Sequence, residues 1–158
     1  MIENGTGGVN TQTGKFFEIE TDLITNLTNA NIDISNITFC KQHDFPRLLK
    51  SKGFDMKKHF GKKFLPDEAF IYNNHLYIIE KKYQQVNGSV DEKIQTGPYK
   101  KLVFDECATA LGLNGCTYIY LLSESFNVEK YTLHQIPYLR NQGIQVYFSK
   151  IPIQTIFF

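Results

Sequence analysis

The 158-residue chain is 42% hydrophobic and 21% charged and carries a net charge of +1 at neutral pH, as expected of one soluble globular domain over residues 1–158. No apolar run approaches the roughly 20 residues of a membrane span, and the N-terminus lacks the basic and apolar regions of a signal peptide, so we expect a cytoplasmic protein with no membrane partner. The three cysteines have no metal-type spacing and cannot all pair, which indicates reduced thiols.

Residues 1–14 are rich in Gly, Asn and Thr, and we expect them to be flexible. Their end, at Gly14-Lys15, superficially suggests a nucleotide phosphate loop. That loop needs a Gly where this chain has Val9, and a Ser or Thr to hold Mg²⁺ where it has Phe16. The sequence therefore predicts no nucleotide cofactor.

An amphipathic helix is predicted over residues 15–29, because apolar side chains recur there at helical spacing. At about 100° per residue, Glu20 falls inside the apolar stripe, whereas Glu18 falls largely opposite it. A carboxylate in the stripe lies at the rim of the core or points at a functional site. For a single Glu, a side chain that reaches out to solvent is the more common outcome.

A strand is predicted over residues 36–42 and a short helix over residues 45–52, and the segment 47–63 is strongly basic. With seven basic residues and one acid, this segment has a net charge of +6, which leaves −5 for the remainder of the chain. Such asymmetry indicates a surface for a polyanion, and a solvated segment that binds nothing is the plain alternative. The basic residues are Arg47, Lys50, Lys52, Lys57, Lys58, Lys62 and Lys63.

A β-hairpin with a tight Asn-Asn turn is predicted over residues 65–82, LPDEAFIYNNHLYIIEKK. Alternation of side chains places Glu80 and Lys82 on one face of its second strand, and Asp67 can approach Glu80 across the hairpin. Both faces are apolar over residues 76–79, the pattern of a strand covered on both sides. Because charges at the end of a buried strand are costly unless something uses them, we interpret this spot as the active site.

The remaining elements complete a mixed sheet covered by helices, so the predicted fold class is α/β. A Gly97-Pro98 break separates a short helical turn from a longer helix. In chain order the predicted elements are a helix over 99–111, a strand over 116–123, a helix over 128–141 that Pro137 interrupts, a strand over 144–149, and an edge strand or oligomer contact over 150–158.

The pair Pro66-Asp67, separated by twelve residues from Glu80-Lys81-Lys82, resembles the signature of the PD-(D/E)XK nuclease superfamily. A helix with an acid precedes the hairpin, and a helix followed by a hydrophobic strand succeeds it. The resemblance covers roughly residues 15–123 and implies the αβββαβ core of restriction-endonuclease-like proteins.

Three details of the motif bear on the site. Glu68, next to Asp67, is a competing ligand. Alternation favours Lys82, not Lys81, as the lysine of the signature. In addition, a Gln at position 95 and a Tyr at position 99 match the Gln-x-x-x-Tyr pattern of the exonuclease-type branch of the superfamily.

The resemblance implies phosphodiester hydrolysis with Mg²⁺ as the cofactor and Mn²⁺ as a substitute. Asp67 and Glu80 would be the metal ligands, joined by the backbone carbonyl of Lys81, because carboxylate and carbonyl oxygens suit a hard cation. Lys82 would orient or help deprotonate the attacking water and stabilise the transition state. The plain alternative for these charges is a surface ion-pair cluster at a sheet edge.

The resemblance also implies a helical Glu near a second metal. The family pattern suggests Glu18, whereas the helical wheel favours Glu20, and both stay candidates. The implied function is that of a DNA endonuclease, most like a type II restriction endonuclease. Double-stranded DNA would be the partner, with phosphate contacts from the segment 47–63 and a further DNA contact from Gln95.

A homodimer is the simplest way for so small a chain to cut both strands. Two other readings remain open. One is a structure-selective or nicking nuclease, such as a junction resolvase or a subunit of a larger nuclease. The other is a non-catalytic module on the same fold that binds DNA or protein.

Overall fold

The computed structural model describes residues 7–84 and 90–157, which form a mixed five-stranded sheet flanked by helices on both faces. This confirms the predicted α/β class. The strands are β1 (Thr38–Cys40), β2 (Glu68–Tyr72), β3 (His75–Lys82), β4 (Cys116–Leu122) and β5 (Gln145–Phe148). The helices are α1 (Gly7–Glu20), α2 (Leu23–Asn29), α3 (Asp44–Ser51), α4 (Met56–Phe60), α5 (Val90–Ile94), α6 (Gly97–Ala110), α7 (Glu129–Thr132), α8 (Gln135–Asn141) and α9 (Ile153–Phe157), with a 3₁₀ turn at Glu124–Phe126.

The strands lie in the order β1-β2-β3-β4-β5, with β1 to β3 antiparallel and β3 to β5 parallel. The β2–β3 turn is Asn73-Asn74, whose φ angles of 49° and 59° are those of a tight two-residue hairpin turn. The register of this hairpin pairs Glu68 with Ile79. By the same register Asp67, one residue before β2, comes opposite Glu80 near the end of β3.

Apolar layers cover both faces of the sheet, as predicted for β3, where Ile78 and Ile79 are both fully buried. Ile78 belongs to a core formed with α3, α4, α6 and α8, and we call this side of the sheet the α6 face. Ile79 belongs to a second core formed with α1, α2 and α9, and we call that side the α1 face. At the end of β3 the α6 face continues with Glu80 and Lys82, and the α1 face with Lys81.

The single helix predicted over residues 15–29 is wrong in two respects. It is broken between α1 and α2, because the carboxylate of Asp22 accepts a hydrogen bond from the backbone N of Thr25 at 2.9 Å and caps α2. Its buried side also differs. Phe17 is buried, whereas Phe16, from the predicted apolar stripe, is 62% exposed.

The N-terminal segment predicted to be flexible is partly helical. Residues 7–14 belong to α1, and residues 1–6 lie outside the described residues. Phe17 anchors α1 to the α1 face, with its ring centre 5.8 Å from that of Tyr83. The Gly-, Asn- and Thr-rich composition suggested a flexible segment. Residues 7–14 are instead helical, because they continue a helix that Phe17 packs against the sheet.

The edge strand predicted over residues 150–158 is wrong, because the tail contains α9. Ile153, Ile156 and Phe157 are three and four positions apart, so one helical face can cover the sheet. The ring centre of Phe157 lies 5.4 Å from that of Phe70 in β2. Burial of this aromatic pair gives the apolar tail a partner within its own chain.

The helix predicted over residues 128–141 is two helices, α7 and α8. The break precedes Gln135 and does not fall at Pro137. Pro137 lies in the first turn of α8, where a residue without an N–H loses no helical hydrogen bond.

Within the described part of the chain, no helix has the length and apolar composition needed to cross a membrane. All three cysteines are free thiols. Burial raises the pKa of Cys107 to about 12, which keeps this thiol protonated and unreactive. The cytoplasmic location itself stays a prediction.

Gly97 marks a close approach of α6 to the sheet. A Cβ atom at this position would lie 2.8 Å from both Cε2 of Tyr120 and Cδ1 of Ile144. Tyr120 in β4 is the register partner of Glu80 in β3. Glycine thus lets the first turn of α6 lie over the end of β3 that carries the charged residues.

We expect Gly97→Ala to lower the free energy of unfolding by roughly 1–3 kcal/mol, because the added methyl group must displace a fully buried ring. Urea denaturation measures the change. Gly14→Ala in α1 is the matched control, since its Cβ would meet no atom within 4 Å. Better helix propensity should make that control roughly 0.5–1 kcal/mol more stable. Equal stability of Gly97→Ala and the wild type would contradict the close packing.

Candidate active site

Asp67 is oriented by hydrogen bonds to both of its carboxylate oxygens. Oδ2 accepts a hydrogen bond from the backbone N of Lys81 at 2.7 Å, across the hairpin. Oδ1 accepts one from Nε2 of Gln42 at 3.1 Å. The backbone N of Gln42 in turn donates to the carbonyl of Pro66 at 2.9 Å. This carboxylate is therefore positioned by the fold itself.

Glu80 and Lys82 share the α6 face at the end of β3. Glu80 is only 5% exposed. Nζ of Lys82 lies 3.5 Å from Oε2 of Glu80. The structure thus brings together Asp67, Glu80 and Lys82, and it places Lys81 on the opposite side of the sheet.

Burial raises the pKa of Glu80 above its ordinary value, and the negative charge of Asp67 raises it further. The positive charges of Lys82 and Lys100 oppose this shift. A raised pKa means that ionisation of Glu80 destabilises the folded state. Carboxylates in such surroundings are typical of functional sites.

Lys100 in α6 is a charged residue near this site that no motif in the sequence indicated. It is half-buried, and burial lowers its pKa. Glu80 and Asp67 act on its charge in the opposite direction, whereas the cations Lys82 and Lys62 add to the lowering. The site therefore contains two carboxylates and two lysines. A third lysine, Lys62, lies close enough to lower the pKa of Lys100.

A helical wheel of α6 places Lys100 on the buried face of this helix, although it does not show which strand that face meets. Gly97 and Phe104 are both buried, and Lys100 follows the first by three positions and precedes the second by four. Residues at these spacings share one face of a helix. Lys100 is thus a cation on the face of α6 that packs on the sheet.

Glu68 does not compete with Asp67 for a ligand, because it faces the other side of the sheet. Its Oε2 lies 3.2 Å from Nζ of Lys81, and its Oε1 accepts a hydrogen bond from the backbone N of Leu23 at 3.2 Å. Nζ of Lys81 also donates to the carbonyls of Glu18 and Thr21, at 3.3 and 3.1 Å. This buried pair attaches the junction of α1 and α2 to the sheet.

The two helical glutamates differ in position, although both side chains are exposed. Glu18 borders a cavity of about 240 Å³ that both Lys81 and Lys82 also line, and neither Asp67 nor Glu80 borders it. Glu20 borders a different cavity, beside Asn26 and Ser149. Glu20 falls in the apolar stripe of the helical wheel, but its side chain is exposed, which is the more common outcome expected for a single Glu.

The basic residues of the segment 47–63 are all exposed, and α3 and α4 of this segment pack on the α6 face. Nζ of Lys62 lies 4.8 Å from the ring centre of Phe64. The charge of Lys62 also acts on Lys100, so the segment reaches the site through this residue. The exposed basic residues are Arg47, Lys50, Lys52, Lys57, Lys58, Lys62 and Lys63.

Gln95 lies between α5 and α6 and is exposed. It borders a cavity with His134 and Tyr138, on the side of α8. Neither the carboxylates nor Lys82 border that cavity. A DNA contact from Gln95 stays a prediction.

No three His, Cys, Asp or Glu side chains converge in a metal-binding arrangement in residues 7–84 and 90–157. Asp67 and Glu80 nevertheless supply two carboxylates on one face, with the carbonyl of Lys81 next to the second. This donor set suits Mg²⁺, which takes one or two carboxylates and keeps several waters. A Mg²⁺ cofactor stays a prediction.

Comparisons of the chain with protein-family models, with curated protein sequences and with solved structures found no significant match. Function must therefore be inferred from the geometry and chemistry of the site.

We expect Lys81→Met to lower the free energy of unfolding by roughly 3–5 kcal/mol, because it leaves Glu68 buried without its cation. Thermal and urea unfolding measure the loss. The double variant Lys81→Met, Glu68→Gln should recover most of it, since no unpaired charge remains. Lys82→Met is the matched control and should cost much less. Equal losses for the two single lysine variants would contradict the structural role of Lys81.

The stability of Glu80→Gln should depend on pH in a defined way. Because the pKa of Glu80 is raised in the folded state, its ionisation removes stability as pH rises from about 4.5 through the folded pKa. Glutamine cannot ionise. We therefore expect Glu80→Gln, in EDTA, to be more stable than the wild type by roughly 0.5–2 kcal/mol at pH 7.5, with no difference at pH 4. A variant that is less stable at pH 7.5 would contradict the raised pKa.

Proposed function

We propose that the protein is a Mg²⁺-dependent DNA endonuclease that hydrolyses phosphodiester bonds, most like a type II restriction endonuclease. The observation that carries this proposal is the meeting of Asp67, Glu80 and Lys82 at the end of a buried strand. Ionised Glu80 destabilises the fold, and a destabilising charge is typically retained where function requires it.

The order of elements supports the proposal. Apart from α3 and α4, which lie between β1 and β2, a helical segment, three antiparallel strands, a second helical segment and a parallel strand follow one another, as in the αβββαβ core that the sequence resemblance implies. In this arrangement Asp67 precedes β2 and Glu80 lies near the end of β3. These are the places where the signature of the PD-(D/E)XK superfamily has its two acids.

The residues of the site suit this chemistry. Asp67 and Glu80, with the carbonyl of Lys81, would hold Mg²⁺, which when bound polarises the phosphate and acidifies water. Lys82 orients the attacking water and assists removal of its proton. The water oxygen bonds to phosphorus as the bond to the leaving oxygen breaks, and the leaving oxygen takes a proton. The products are a phosphate monoester and a hydroxyl group. Of the two helical acids, Glu18 is the candidate for a second metal, because it borders a cavity that Lys82 also lines.

The basic segment 47–63 supports a polyanionic substrate. All seven of its cationic side chains are exposed, and its helices α3 and α4 pack on the face of the sheet that carries the carboxylates. Contacts of this kind bind phosphates without reading the base sequence. We propose double-stranded DNA as the partner and a homodimer as the form that cuts both strands.

We expect the wild type to convert supercoiled plasmid to shorter or relaxed forms in Mg²⁺, and in Mn²⁺, but not in EDTA. Asp67→Asn, Glu80→Gln and Lys82→Ala should each slow the reaction by about 10²-fold or more, because each removes a group that acts on the transition state. Agarose gels of time courses measure the rates. Discrete fragments indicate sequence-specific cutting, whereas open circles indicate a nicking enzyme.

Two exposed positions outside the site supply matched controls. Glu129→Gln in α7 and Lys150→Ala after β5 remove the same charges and should leave the rate unchanged. Wild-type protein that is folded but produces no Mg²⁺-dependent change in the plasmid would overturn the proposal. DNA binding without cleavage would instead support the non-catalytic module.

A further inference from the structure

Lys100 is brought to the carboxylates by the packing of α6. Its backbone N donates to the carbonyl of Thr96 at 3.1 Å, so it lies in the first turn of this helix. That turn lies against the ring of Tyr120 at Gly97. Because Tyr120 is the register partner of Glu80, the helical turn that carries Lys100 packs beside the end of β3.

The ammonium of Lys100 differs from those of neighbouring lysines, because in the described part of the chain it has no carboxylate within 4.0 Å and no side-chain hydrogen bond. Nζ of Lys81 lies 3.2 Å from Glu68, and Nζ of Lys101 lies 2.8 Å from Asp105. A half-buried cation without such a partner costs stability. The fold therefore holds this ammonium near the carboxylates without a direct ion pair.

The balance of charges at the site indicates which kind of group the ammonium of Lys100 would bind. Asp67 and Glu80 carry two negative charges, which a divalent cation would neutralise. Lys82 and Lys100 are then left to face the substrate. A phosphodiester carries one negative charge, and its pentacovalent transition state carries one more. Two lysines beside the carboxylates match that developing charge, and an ammonium suits phosphate as a compact point charge.

We propose that Lys100 is a further catalytic residue, which contacts a non-bridging oxygen of the scissile phosphate from the side of α6, opposite the strand that carries Lys82. This proposal rests on the proposed nuclease function. Binding by Lys100 strengthens as negative charge grows on the phosphate. Its removal therefore lowers kcat more than it raises KM.

The test compares Lys100→Met with Lys101→Met under single-turnover conditions in Mg²⁺. Lys101→Met is the matched control, because it removes the same charge from the next residue of α6, whose ammonium lies on Asp105. We expect Lys100→Met to lower kcat by about 10²–10³-fold and the control to retain wild-type activity. Lys100→Arg should recover part of the rate, since it restores the charge.

Two readouts separate a contact with phosphate from a structural role. Lys100→Met should be at least as stable as the wild type in urea, because it removes a half-buried charge whose loss of hydration outweighs its attraction to the carboxylates. Substrates with sulfur at one non-bridging oxygen of the scissile phosphate supply the second readout. The rate ratio of oxygen to sulfur substrate for one diastereomer should shrink in Lys100→Met relative to the wild type.

The outcomes are distinct. If the wild type cleaves DNA but Lys100→Met cleaves as fast as Lys101→Met, the role of Lys100 is overturned and the nuclease function stands. If Lys100→Met is slow only because it is unfolded, or its sulfur effect is unchanged for both diastereomers, contact with the phosphate is likewise overturned. If the wild type does not cleave at all, both proposals fail.

Discussion

The hydrogen bond from the backbone N of Lys81 to Asp67 joins the start of β2 to the end of β3, at 2.7 Å. The strand around this bond is buried on both faces, so each of its last residues must satisfy its charge on one side or the other. Lys81 turns to the α1 face. Glu80 and Lys82 turn to the α6 face, where Asp67 completes the group. One strand therefore supports both the attachment of the N-terminal helices and the candidate site.

The two buried carboxylates on this hairpin have different electrostatic surroundings. Glu68 lies 3.2 Å from one buried ammonium and 3.6 Å from the Lys41 ammonium, and it accepts a backbone hydrogen bond. Glu80 has a lysine at 3.5 Å and the negative charge of Asp67 beside it. Burial raises the pKa of both carboxyls, but only at Glu80 does a neighbouring negative charge raise it further. The first carboxylate has the surroundings of a structural ion pair, and the second those of a ligand for a cation.

Two cations act on Glu80 from separate parts of the chain, Lys82 from β3 itself and Lys100 from α6. Lys62, in the loop that follows α4, acts in turn on Lys100. The electrostatic field of the site is therefore set by the fold and not by one motif. A metal ion and a phosphate would together complete the charge balance of such a site, which is why hydrolysis of a nucleic acid is the function that the geometry supports best.

The amino-acid sequence by itself determined the hairpin, the covering of β3 on both faces, and the choice of Lys82 over Lys81, because alternation along a strand is a local rule. It also indicated the α/β class through the order of its elements. Local rules were not sufficient to predict the helix break at Asp22, the helix in the tail, or the positions of Glu18 and Glu20. These features depend on which helix faces pack against the sheet. Only the tertiary structure decided that Lys100 belongs to the site. The absence of a side chain at Gly97 lets α6 pack on β4, and neither segment's sequence alone shows that the two are in contact.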